Sequence, residues 1–254
     1  MGTVTSRDGT VIGFETTGDG PPVVLVHGGT ADRSRWAPVL PALSEGHTVH
    51  AVDRRGRGLS GDGRPYGIAR EGEDLVAVLE AVGPDVLLVG HPYGALVSLE
   101  AALLTDAIGR IVLYEPPAST PGHRVTTPEM IAALRGAGDH EEILRIFYRE
   151  ALHLTDDEID AMTRTAIWRA RLAAAPTIVR ELEQIEEFDL SERLSAIDVP
   201  VRLLIGDRSP AYFRPAAETI ASRLPFAEVV VLAGQAHMAI NEAPSLFVES
   251  VLRK

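Results

Sequence analysis

The chain has 254 residues, 45% hydrophobic and 24% charged, with a formal net charge of −12 and no cysteine. That length supports one sizeable core. The acidic balance excludes a nucleic-acid partner, which needs a basic stripe, and an anionic membrane surface, and the missing cysteines exclude disulfides and thiolate metal sites.

In chain order, the sequence opens on a hairpin, with Val4 and Val11-Ile12 flanking an Asp8-Gly9 turn. These residues carry neither the basic start nor the apolar run of a secretory signal, and no later run reaches membrane-span length, so a cytoplasmic protein is expected. Short runs rich in Val, Leu and Ile follow at 23–29, 49–56, 86–91, 110–117, 199–207 and 228–234. Separated by helical patterns such as 72–82 and 96–104, they read as strands buried on both faces. Such alternation predicts an α/β fold, a mostly parallel, doubly wound sheet with an N-terminal hairpin. Between Pro117 and Asp198 no strand candidate occurs over about eighty residues, too long for a plain loop. Thr127-Pro128 reads as an N-cap with proline in the first turn, Thr155 to Glu158 as a capping box, and Pro176 as a break between helices. The expected organisation is a core of 1–119 and 197–254 with a helical cap inserted at 120–196.

The stretch DVLLVGHPYGALVSLE (85–100) is written as strand, tight turn and small-residue helix. Glycines flanking the turn match a nucleophile elbow, G-x-S-x-G, but Pro92 holds the central place. Proline has no nucleophile and no N–H, and its ring holds φ near about −65°. An elbow residue instead carries a strained positive φ. A relaxed turn is therefore expected, with a helix beginning near Pro92 and the Tyr93 N–H turned away. Ser60, Ser98 and Ser209 are poor substitutes, since none stands at a strand-to-helix apex.

Four segments together resemble the α/β-hydrolase superfamily: VVLVHGGTADRSRW, VDRRGRGLS, VGHPYGA and AGQAHMAINEAP. The resemblance covers nearly the whole chain and implies that fold, in a member with proline at the nucleophile position. It implies His237 as the catalytic base. Its acid partner is read as Glu115, at a strand end in LYEPP, with Asp207 in IGDRSP as the alternative, because Ser209 stands where the family's usual acid would be. Gly28 and Gly29 would form the oxyanion loop, with the Gly29 N–H as first donor and Tyr93 following the lost nucleophile. Trp168 and Tyr148, with Phe147, Met162 and Ile167, would supply an apolar lid. Asp53, Arg54, Gly56 and Gly58 read as a structural turn, and His27 and His91 as bonded to the backbone. No metal cluster or phosphate-loop spacing is visible, so no cofactor is expected.

The function expected is that of a cofactor-free enzyme acting on a small, largely apolar organic molecule, neutral or weakly polar rather than phosphorylated. Its His–carboxylate dyad would carry non-covalent acid/base chemistry: elimination, dehydration, isomerisation or cyclisation. The alternatives are a hydrolase in which His237 activates water directly, and an inactive small-molecule-binding protein that keeps the pocket.

Overall fold

The computed structural model describes residues 1–165 and 167–253. Its strands are β1 (Gly2–Thr5), β2 (Val11–Thr17), β3 (Pro22–Val26), β4 (Thr48–Val52), β5 (Val86–Gly90), β6 (Ile108–Tyr114), β7 (Val201–Gly206) and β8 (Ala227–Leu232). They form one sheet in the order β1-β2-β4-β3-β5-β6-β7-β8. The β1–β2 hairpin and the β2–β4 pair are antiparallel, and the remaining neighbours run parallel.

Period-two alternation divides the core. Val24, Val26, Leu88, Ile111 and Leu113 pack on one face with Leu75, Leu79, Leu96, Leu99 and Phe213. Those residues come from α2 (Ile68–Val82), α3 (Tyr93–Ala102) and α9 (Phe213–Arg223). The intervening Val23, Leu25, Leu87, Val89 and Val112 pack on the other face with Trp36, Leu43 and Phe247. Leu43 belongs to α1 (Leu40–Ser44) and Phe247 to α11 (Pro244–Leu252), which α10 (Ala239–Glu242) precedes. Burial of each such side chain contributes roughly 1.5–3 kcal/mol, so consecutive apolar residues are needed where both faces are covered.

Between β6 and β7 the described residues contain no strand. Helices fill the interval: α4 (Pro128–Gly136), α5 (His140–Glu150), α6 (Asp156–Thr163), α7 (Ile167–Ala174) and α8 (Ile178–Glu186). Thr127 accepts from the Met130 N–H at the start of α4, and Thr155 and Glu158 make both halves of a capping box on α6. Pro176 falls in a 3-10 turn between α7 and α8. Among the described residues no helix is long and apolar enough to cross a membrane.

The strand order reverses between β3 and β5, where Val26 stands opposite Gly90. Ligands of open α/β sheets bind outside the carboxyl ends of the strands at such a switch point. The segments after β3, β5, β6, β7 and β8 meet there. Close packing of α3 on β3 explains one glycine: a Cβ on Gly94 would collide with the carbonyl oxygens of Val26 and His27. Gly94→Ala should cost about 1–3 kcal/mol, read as a lowered urea midpoint with an unchanged slope.

Candidate active site

Pro92 sits at the tip of the β5–α3 turn with φ −73° and ψ −44°, in the right-handed helical region, and α3 starts at the next residue. The turn is unstrained, as the proline requires. Glu115, after β6, takes the left-handed conformation instead, with φ 52°. For a non-glycine residue this costs about 1–3 kcal/mol, and the fixed hydrogen bonds around it hold it there.

The Glu115 carboxylate is fully buried. Its Oε1 accepts from the Gly206 N–H at 2.8 Å and from the Ser209 hydroxyl, and its Oε2 lies 2.6 Å from His237 Nδ1. Ser209 thus supports the acid from the place where an acid was expected. Asp207 does not reach His237. It is exposed and accepts from the Gly234 N–H at 2.8 Å, tying the loop after β7 to that after β8. Standing two residues before Ser209, it leaves the strand too early to turn inward.

The His237 ring is stacked on Phe213 (centroids 5.1 Å apart) and tilted against His91 (4.7 Å). Tyr114 secures the loop by donating its hydroxyl to the Ala236 carbonyl at 2.5 Å. An imidazole that donates from Nδ1 to Glu115 keeps Nε2 as its acceptor, and His237 lines the cavity. His27 bonds the backbone, with Nδ1 2.8 Å from the Gly28 carbonyl and Nε2 accepting from the Arg54 N–H at 3.1 Å. His91 departs from the expectation. It is buried, stacked on Tyr114, and neither ring nitrogen has a hydrogen-bond partner. Burial, with His237 and Arg35 near, pushes its pKa well below the imidazole range.

Gly28 is forced by its neighbour, because a Cβ there would collide with the Pro92 ring. Beside it, a Cβ on Gly29 would stand 3.1 Å from Glu181 Oε2. Glu181 is a buried residue of α8, and its Oε1 accepts from Arg54 Nη2 and Arg57 Nη2, each at 2.8 Å. Burial alone would raise its pKa, but the two guanidiniums hold it below the ordinary carboxylate range. Arg54 also pairs bidentately with Glu71 at 2.7 and 2.8 Å and lies over the Tyr93 ring. Arg54 is therefore more than a turn residue: its side chain builds a buried ionic network beside the cavity. The Tyr93 hydroxyl meets that of Tyr66 at 2.8 Å, within the same network.

A cavity of about 830 Å³ joins these parts, walled by Gly28, Gly29, Pro92, Tyr93, Tyr148, Glu181 and His237. Phe147, Met162 and Ile167 also reach it. Trp168 does not. It packs behind Tyr148, centroids 6.3 Å apart, because α7 turns Ile167, Ala170 and Arg171 toward the space instead. Sequence reasoning missed Glu181, Arg35 and Arg171. Glu181 had a signal, since it interrupts the buried Ile178-Leu182-Ile185 stripe of α8.

The other hydroxyls considered as nucleophiles are engaged. Ser60 donates to the Asp53 carbonyl at 2.5 Å, Ser98 to the Gly94 carbonyl at 2.7 Å, and Ser209 to Glu115. The His237 imidazole, which lines the cavity and is backed by a carboxylate, is able to take or deliver a proton.

The sequence matches the profile of the alpha/beta hydrolase family over residues 23–250. It is 30% identical to an N-formylmaleamate deformylase of Pseudomonas putida over 200 residues, covering 75% of this chain and 72% of the relative. It is 24% identical to a pimeloyl-acyl-carrier-protein methyl ester esterase of Aeromonas hydrophila, covering 94% of this chain and 97% of that one. Among solved structures, an alpha/beta hydrolase from Sphaerobacter thermophilus superposes with a TM-score of 0.86 at 33% identity, covering 98% of this chain and 99% of the other.

Proposed function

The chain belongs to the alpha/beta hydrolase family, and on that premise we propose that Pro92 stands at the family's nucleophile position and that the His237–Glu115 dyad does non-covalent acid/base chemistry. The single observation that carries this reading is the dyad itself: Nδ1 is held 2.6 Å from a buried carboxylate in a histidine that lines the cavity. General acid/base catalysis by such a group is worth about 10²–10⁴-fold. It serves elimination, dehydration, isomerisation or cyclisation of a small organic molecule without a cofactor.

Two features argue against an acyl-enzyme. Pro92 supplies no nucleophile, and its helical φ of −73° is not the strained positive φ of an elbow residue that presents one. Pro92→Ser alone should therefore give no rapid burst of nitrophenol from p-nitrophenyl acetate. A stoichiometric burst would mean that the acyl-transfer machinery had survived intact.

A second reading keeps hydrolysis but lets His237 activate water directly. It is supported by the relatives, a deformylase and a methyl ester esterase, whose names denote hydrolytic reactions. A single turnover in water labelled with heavy oxygen separates the two. Unlabelled product supports the non-hydrolytic reading, and label in the product supports direct water attack.

A further inference from the structure

The cavity wall carries charge that the dyad does not use. Arg35, in the segment after β3, and Arg171, on α7, both face the space. Among the described residues no carboxylate lies within 4.0 Å of either guanidinium. Arg35 Nη1 donates to the Asn241 side-chain oxygen, and its Nη2 lies 3.9 Å from Met238 Sδ. Arg171 donates to the Tyr148 hydroxyl, which in turn donates to Thr30 Oγ1 at 2.9 Å.

The fully buried guanidiniums beside this cavity and its turn are neutralised, whereas Arg35 and Arg171 are half-buried. Arg54 and Arg57 each reach Glu181 at 2.8 Å, and Arg55 reaches Asp74 at 2.6 Å. Three other acids on the wall do not fill that role for Arg35 and Arg171, and of these Asp32 accepts from the Ser34 N–H at 2.8 Å. Glu158 is engaged by the Thr155 N–H and hydroxyl, each at 2.8 Å, and Glu242 is exposed. Burial and the neighbouring Arg171 push the Arg35 pKa down to about 10. A partly desolvated cation facing a second cation is costly unless an anion comes between them.

We propose that Arg35 and Arg171 hold the carboxylate of the substrate, which makes the molecule a small organic acid. This rests on the reading above that the cavity is the substrate site. It replaces the neutral or weakly polar molecule expected from composition with an anionic one. The planar guanidinium fork matches a planar carboxylate. A tetrahedral phosphate matches that flat two-nitrogen fork less closely. Since Arg35 touches Met238, the residue after His237, the anchored acid shares the space that His237 lines.

The test is calorimetric titration of the whole protein with phenylacetate, methyl phenylacetate and phenyl phosphate at millimolar concentration. Phenylacetate should bind at least about tenfold more tightly than its ester. Arg35→Met and Arg171→Met should each remove about that factor for the acid and leave the ester unchanged. Equal affinity for acid and ester overturns the proposal, as does absence of acid binding or tighter binding of phenyl phosphate. So does loss of acid and ester alike in variants that remain folded by circular dichroism. The comparison of acid with ester on the unaltered protein needs no variant. None of these readouts needs turnover, so failure of the acid/base reading would be seen separately, in the His237 variant.

Discussion

His237→Ala lowers turnover of any substrate of the wild-type protein by about 10²–10⁴-fold, with affinity changed by no more than a few-fold. The imidazole is needed for a proton, while the remaining cavity wall does the binding. The ring is held by Phe213 and His91 and by the 2.6 Å contact to Glu115, so its loss removes a preorganised group. Glu115→Gln should follow in the same direction, since an amide neither stabilises an imidazolium nor fixes the tautomer as a carboxylate does. The measurements are steady-state kinetics and intact-mass analysis of the acid-quenched wild-type enzyme. No covalent adduct should accumulate. A stable acyl adduct, or undiminished turnover in His237→Ala, would remove the dyad from the mechanism.

The largest stability effect is expected at Arg54. Arg54→Ala leaves Glu71 and Glu181 buried with fewer partners, and breaking a buried pair from one side costs about 3–5 kcal/mol. The guanidinium makes three carboxylate contacts of 2.7 to 2.8 Å, holds the Gly28 carbonyl at 3.1 Å, and lies over Tyr93. Guanidinium chloride denaturation followed by circular dichroism reads the loss. A change below about 1 kcal/mol, the range of an exposed ion pair, would mean that water already reaches this network.

The sheet was legible because burial on both faces demands unbroken apolar runs, and glycine and proline mark where they stop. The caps on α4 and α6 were legible because their signals are local. His237 could be named because the resemblance implies a base in the loop after the last strand, and Glu115 because it stands at the end of a strand with prolines beside it. The choice between Glu115 and Asp207 needed the structure, since spacing leaves either able to approach the imidazole. The residues of the inserted helices were the hardest to read. Trp168 and Arg171 are three apart on α7, and only the packed helix decides which reaches the cavity. Arg35 and Arg171 are far apart in sequence, and no local pattern marks a cation that will lack an acid.

The contact between Gly28 and the ring of Pro92 has a consequence for the protein's mutational history. While position 92 is proline, any side chain at 28 meets the ring, so the two positions form an epistatic pair. Glycine at 28 had to be in place before, or together with, proline at 92. Loss of the ring alone would not free position 28, because a Cβ there also stands 2.8 Å from the backbone nitrogen of residue 92 and 2.9 Å from the His91 carbonyl oxygen.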